Sequence, residues 1–599
     1  MTDLDRRGEV SKLVNGNSFR TLEFEAIRRL LMDHTGSSRG KSLMTALAPS
    51  SDVAQVREAL GVTGEGVRLL RDLGRQPYHD LPDIDESLAG ARVQGFALDP
   101  AALAAVASFI EGGGEIARRV ARAEGAPRLA LLASSVHDTS AVAAAIRRAI
   151  LPDGEVADDA SPKLTETRRA IARLRARLHS VMESFLRGKD ADRVLQERLI
   201  TSRNERYVLL VRAEQRGQLP GIIHGTSGSG ASLFVEPMPA VDLNNDIVAF
   251  VEEERREVLR ILQELTSRVG EVADALGHAV GVLGALDVVQ AKAILARELD
   301  AWAPEMVEDL RLDLRRARHP LLLPSSCERL GQPRRSQREA VPVDLRVGFG
   351  AAVLVISGPN TGGKTVALKT VGLLALMAQS GLHIPAAPGS ILPVFRRVWA
   401  DIGDEQSIAA DLSTFSAHLA GIVEMTRDLG HPSLVLLDEV GAGTDPTEGG
   451  ALGVAIVDHF RSRGAMVVAT THHGLLKAYA QSTPGVTCAS FGYHPDTFEP
   501  TFKLSLGTAG RSLALEMAER LGLPAQVVAD ARSRLDEKQA QAEALLKELE
   551  EQREGLTRER EAIAAERAGL EEGRRALGRS QQRAEAERRA QGEAFAAVL

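Results

Sequence analysis

Apolar residues recur at three- and four-residue spacing over residues 20 to about 190, as in Leu22, Ala26, Leu30 and again Leu103, Val106, Phe109, Ile110. That period puts one helix face on a core, and the prevalence of Ala, Leu, Arg and Glu supports helix on propensity as well. Breaks are expected in the loop 34–40, around Pro77 and Pro82, and over 151–162. After 195 the period changes. Residues 206–211 (RYVLLV) read as a strand, and 220–236 (PGIIHGTSGSGASLFVE) alternates short apolar runs with a Gly/Ser turn, which predicts a small antiparallel β-unit. The helical pattern returns from 244 to about 299, so the β-unit reads as an insertion at the tip of a helical lever. Between 315 and 515, apolar β-runs at 351–357, 434–437 and 466–469 alternate with helical stretches. This predicts a doubly wound α/β domain with a mainly parallel sheet. Over 536–599 an apolar residue recurs every seven, from Ala542 and Leu549 through Leu556, Ile563, Leu570 and Leu577 to Ala584. The second seam (Leu545, Gln552, Glu559, Glu566, Gly573, Ser580) is largely polar, so a long helix needing a partner helix is expected rather than a strong coiled coil.

Composition bounds this picture. The 599 residues suit three to five domains, and 44% hydrophobic with 26% charged residues is a globular balance. Acids outnumber bases 81 to 73, a formal charge of -8 that excludes a uniformly basic nucleic-acid binder. Residues 161–219 nevertheless hold 14 Lys/Arg against 7 Asp/Glu, a local +7 that fits a phosphate-contacting surface or a solvated helical face. Two cysteines, Cys327 and Cys488, leave no disulfide framework or multi-cysteine zinc site and point to a reducing compartment. The first residues lack an apolar signal core and no run approaches eighteen apolar residues, so a cytoplasmic location with no membrane partner is expected. Aromatic residues make up 4% of the chain, too few for extended base-stacking platforms.

Four motifs carry chemistry. Gly358-Pro359-Asn360-Thr361-Gly362-Gly363-Lys364-Thr365 fits G-x-x-x-x-G-K-[ST], with an apolar strand before it and a helical run after it. Such a loop turns backbone N–H groups and a helix N-terminus onto phosphates. Lys364 would then neutralise the β- and γ-phosphates, and the Thr365 hydroxyl would hold Mg²⁺. Residues 434–439 (LVLLDE) read as a buried strand delivering Asp438 to the Mg²⁺ shell, with Glu439 placed to polarise the attacking water. Residues 467–472 (VVATTH) end on His472, which reads as a γ-phosphate sensor or as a plain strand-end histidine. Residues 401–407 (DIGDEQS) lead to 412–416 (LSTFS), where Ser413 reads as the N-cap of the next helix. That helix end could also face the γ-phosphate of a neighbouring subunit.

Together, GPNTGGKT, DIGDEQSI with LSTFSAHL, LVLLDEVGAGTDPTEG and ATTHH resemble the ATPase signature of the MutS family, which is related to ABC-type ATPases. LEFEAIRRLLMDHTGSSRGK near the start and HGTSGSGASLFVEP with DLNN resemble the second bacterial paralogue, the MutS-II type. The resemblance implies an N-terminal extension (1–18), a helical core and lever (19–194), a clamp-like β insertion (195–245), returning lever helices (246–312), an ABC-type P-loop ATPase (313–510), a helical dimerisation segment (511–535) and a charged coiled-coil-like helix (536–599). It further implies a homodimer sharing two ATP and Mg²⁺ sites, with Ser413, Thr414, Phe415 and Ser416 acting in trans. Stretches 317–320 and 341–344 resemble family segments near the nucleotide base.

The branch is associated with suppressing recombination at branched DNA and with rescuing collided ribosomes, so DNA, rRNA and the ribosome are all implied as partners. A nuclease domain of that branch would lie beyond Leu599, and no residue here is expected to supply nuclease chemistry. Mismatch sensing fits less well. The chain opens directly in helices, and its Phe-x-Glu tripeptides (Phe109 to Glu111, Phe234 to Glu236, Phe250 to Glu252) sit in helical or clamp contexts. A dimeric scaffold that binds ATP with little hydrolysis is the alternative from another class.

Overall fold

A computed structural model describes residues 13–533, apart from 229, 332–339, 359–362, 404–413, 495–499, 508–513 and 521, and beyond them residue 566. The described residues fall into two units. One comprises Arg28–Leu47 and Ala59–Glu298, the other Met1–Ile27, Ala48–Glu58 and Leu299–Leu599.

The first unit is helical with a small sheet. Helix Pro162–Leu186 (α1) starts where the Ser161 hydroxyl accepts from the Leu164 N–H and Pro162 takes the first helical position. Strands Leu195–Arg203 (β1), Arg206–Arg212 (β2), Gly221–Thr226 (β3) and Ser232–Pro237 (β4) form an antiparallel sheet in the order β1-β2-β4-β3. Its inner face, with Leu209, Val211, Leu233 and Val235, is buried with Leu178, Met182 and Ile247 of the flanking helices. The chain is helical again from Met238 (α2, Met238–Glu271), earlier than the expected end of the β insertion at 245. Pro239 in the first turn suits a helix start, and the DLNN motif therefore lies on α2 rather than on the β-unit. Helix Ala273–Glu298 (α3) is long and apolar enough to cross a membrane, but 78% of its most apolar window is buried in the fold. Here α3 is the unit's core helix, mostly buried from 282 to 296 and exposed at Asp274, Gly277 and His278 in its first turns.

The second unit holds a six-stranded sheet in the order β10-β11-β12-β8-β13-β14. Short strands Glu305–Val307 (β5), Leu312–Ala317 (β6) and Val343–Val347 (β7) precede Val353–Ser357 (β8). Helix Lys364–Gln379 (α4), Ile391–Pro393 (β9), Arg397–Asp401 (β10), helix Thr414–Arg427 (α5) and Ser433–Leu437 (β11) follow. Then come helix Pro446–Ser462 (α6), Met466–Thr471 (β12), helix Gly474–Ser482 (α7), Val486–Tyr493 (β13) and Pro500–Leu506 (β14). All neighbours in this sheet pair parallel except β13 with β14. Strands β8 and β11 are buried along their whole length, as a parallel sheet covered on both faces requires. This is the doubly wound pattern expected.

Two features were not expected. A second sheet, β5-β9-β6-β7, lies in this unit and begins before residue 313. The chain's N-terminal part also belongs here: the Ser18 hydroxyl accepts from the Ala400 N–H on β10, and Leu22 is fully buried under Gly372 of α4. Residues 13–27 thus cover an edge strand of the main sheet instead of dividing at 18 into an extension and a lever. Helices Ala514–Arg520 and Ala525–Ser533 occupy the segment 511–535. The heptad segment 536–599, but for Glu566, lies outside the described residues.

Candidate nucleotide site

The motif residues converge at the C-terminal ends of the parallel strands, where ligands of open α/β sheets bind. Gly358 follows β8 with φ 130°, and Gly363 precedes α4 with φ 97°. Both conformations favour glycine. A Cβ on Gly363 would come within 3.3 Å of the Phe502 ring, so the aromatic residues of β13 and β14 wall the loop closely. The expected phosphate contacts of Pro359, Asn360, Thr361 and Gly362 fall outside the described residues.

Lys364 opens α4 and is 1% exposed. Its Nζ lies 3.9 Å from Glu439 Oε1. Burial pushes the Lys364 pKa below the usual lysine value, and the nearby Glu439 and Asp438 carboxylates partly offset this. The Thr365 hydroxyl donates to Asp438 Oδ2 at 2.7 Å. Those two oxygens are the donor type Mg²⁺ takes from a protein when substrate phosphates and water complete its shell, so the residues fit the ion.

One strand, β12, lies between β8 and β11, and it supplies residues that motif reading left unassigned. The Thr470 hydroxyl donates to Asp438 Oδ1 and accepts from the Glu439 N–H at 2.8 Å. Glu439 has φ 47°, a left-handed conformation rare for a side-chain-bearing residue. The Thr470 bond is one of the contacts that holds it there. Beyond β12 stands His472, its pKa lowered by burial first, then by His473 and Lys364, with Glu439 opposing. The rings of His472 and His473 lie 4.3 Å apart.

Ser413 lies outside the described residues, and α5 begins one residue later. Phe415, expected to face a second subunit, lines a cavity of its own chain with Asp401, His418, Asp438 and Glu439. The pair Asp401 and His418 was not singled out from the sequence; His418 Nδ1 lies 2.8 and 2.9 Å from the two Asp401 carboxylate oxygens. At the start of α6, Asp445 accepts from the Thr447 and Glu448 N–H groups, which lower its pKa. His319, in a stretch expected near the base, is buried at 6% exposure, and neither ring nitrogen has a hydrogen-bond partner among the described residues.

A glycine loop between a buried strand and a helix, with a carboxylate-ended strand two positions away across the sheet, defines the P-loop class of nucleotide-binding folds. The pattern of MutS domain V matches residues 354–539. The chain is 44% identical over 551 residues to Endonuclease MutS2 of Pelotomaculum thermopropionicum, covering 91% of this chain and 68% of that protein. It is 43% identical over 534 residues to the protein of the same name from Geobacillus sp. strain WCH70, covering 88% and 66%. Against that of Symbiobacterium thermophilum the identity is 41% over 542 residues, covering 90% and 66%. This chain belongs to the MutS family as a MutS2-type member. It spans about two thirds of the length of these relatives.

Proposed function

We propose that the chain binds ATP at the ends of β8, β11 and β12, hydrolyses it to ADP and phosphate, and uses the cycle to gate a grip on nucleic acid. The observation that carries the reading is the convergence of Lys364, Thr365, Asp438, Glu439 and His472 on one side of one sheet, joined through Thr470. The Lys364 ammonium offsets charge on the β- and γ-phosphates. Mg²⁺ held by Thr365 and Asp438 would neutralise phosphate charge further. Glu439 accepts a proton from the attacking water, and its rigid backbone fixes where its carboxylate can reach. A neutral His472, exposed beside the site, can hydrogen-bond a phosphate oxygen. In this reading the active form is a homodimer, with residues 413–416 completing the partner's site.

The nucleic-acid side rests on the basic segment 161–219, which runs through α1 into the β1–β4 sheet, and on family membership. Branched DNA and ribosomal RNA both suit that surface. The relatives are named endonucleases, and we assign no nuclease residue in this chain. Glu439→Gln is expected to retain ATP binding and lose turnover by roughly a hundredfold or more, the usual range for removing a general base. Unchanged turnover would refute the assignment. Capture from cells with and without ATP, scored for branched DNA against ribosomes, separates the two targets.

A further inference from the structure

Glu439 sits in a left-handed backbone conformation at the head of a glycine-rich turn, and the turn is wedged between two helices. On one side, a Cβ at Gly441 would lie 2.1 Å from the Gly449 carbonyl oxygen, so the turn closes directly on the first turn of α6. On the other, a Cβ at Gly443 would lie 3.3 Å from the Phe415 Cβ, so the turn also abuts the start of α5. The seating of α5 therefore helps to decide where Glu439 stands.

What seats α5 is a hydrogen-bonded histidine–carboxylate contact to the sheet. Asp401 ends β10 and pairs in register with Leu437, the residue before Asp438. Its backbone oxygen accepts from the Asp438 N–H at 2.8 Å. Its carboxylate faces His418 Nδ1 with both oxygens, and because a carboxylate only accepts, that nitrogen carries the proton. Gly421, one turn along α5, also faces Asp401: a Cβ there would lie 3.8 Å from Oδ1, in ordinary contact. His418, Phe415 and Asp401 line one cavity of about 20 Å³ together with Asp438, Glu439, Val440 and Gly441, the room of a single water.

We propose that Asp401 and His418 form a positioning pair for hydrolysis: it locks α5 against the ends of β10 and β11, so that Phe415 and the Gly441–Gly443 turn hold Glu439 in its reactive placement. Neither residue needs to touch the nucleotide. The pair rests on the proposed ATPase reading and adds a role outside the phosphate-binding motifs.

The test measures steady-state turnover and equilibrium ATP affinity in the purified chain, its Glu439→Gln variant, Asp401→Asn, His418→Ala and His418→Asn. Asparagine offers an amide N–H near the position of Nδ1. Asp401→Asn and His418→Ala are expected to lower kcat at least about tenfold while KM and ATP affinity stay within about twofold, the signature of lost transition-state placement. His418→Asn is expected to recover at least about a third of the lost turnover, and His418→Ala in the Glu439→Gln background to cost nothing further. Normal kcat in Asp401→Asn and His418→Ala overturns the proposal. So does a parallel loss of affinity and kcat, or no recovery in His418→Asn, since both mark general damage to the fold. Failure of the ATPase reading looks different: the parent chain then shows no turnover at all, and both readings fall.

Discussion

His319 shows what burial alone does to a titratable side chain. Burial pushes its pKa down to about 4, with Glu23 pushing back and Lys369 adding to the fall. The folded chain therefore holds a neutral ring, whereas the unfolded ring takes a proton near the ordinary value of 6.5. Between about 6.5 and 4 the unfolded state binds more protons, so this contribution to stability is whole above 6.5 and is lost as pH falls through that window. The contribution amounts to at most about 3 kcal/mol. Urea unfolding of His319→Leu should lose distinctly less stability between pH 7 and 5 than the parent, and an equal loss in both would refute the account. The same scale explains which site residues the sequence displayed. Lys364, Thr365, Asp438, Glu439 and His472 each sit inside a local motif whose spacing is itself the signal. Thr470, Asp401 and His418 also lie within quoted motifs, but the spacing there does not show the contacts they make. Asp401 reaches the site through β10–β11 register, and Thr470 reaches Asp438 across neighbouring strands. No spacing along one segment encodes either meeting.

Elements were legible where period or length was strong. The fully buried, largely apolar β8 and β11 and the long helices α1 and α2 follow from the hydrophobic pattern. The three-residue strands β5 and β9 are too short to show alternation, so their sheet was invisible. The early start of α2 was hidden because DLNN reads as a loop by composition, yet tertiary bonds hold it helical. Glu236 on β4 is wholly buried, and its carboxylate accepts from Arg206 at 2.7 Å and from Asn244 at 2.8 Å, and meets His224 at 2.6 Å. Asn244 also brackets the Tyr207 peptide, accepting from its N–H and donating to its carbonyl. One buried carboxylate thereby fastens β2, β3 and β4 to the first turns of α2. Glu236→Ala strips the partner from a half-buried guanidinium and should cost on the order of 3 kcal/mol. Hydrogen exchange should rise across β1–β4 and residues 238–246 rather than uniformly. Exchange unchanged in those strands would show that apolar packing alone holds the sheet.

For the molecule as a whole, the charge of -8 and the local +7 over 161–219 act at different ranges. At physiological salt, charges further apart than about 8 Å are largely screened, so a nucleic acid lying on this segment responds mainly to the nearby arginines. Arg198 and Arg203 on β1 are suited to such contact: both are exposed, and Arg203 lies with its guanidinium 5.3 Å from the Phe234 ring centroid. Arg198 is paired with Asp192, but an ion pair this exposed costs little to exchange for a phosphate. Each phosphate contact contributes about -0.9 to the slope of log K against log salt on duplex DNA. Replacing both arginines by glutamine should therefore flatten that slope by about 2 for branched duplexes, with weaker binding at low salt and an unchanged unfolding temperature. The proper measurement is a titration at four or more salt concentrations, since one affinity cannot separate a lost contact from a general loss of attraction. A parallel drop in affinity with the slope intact would place the phosphates elsewhere and reduce the +7 segment to a solvated face.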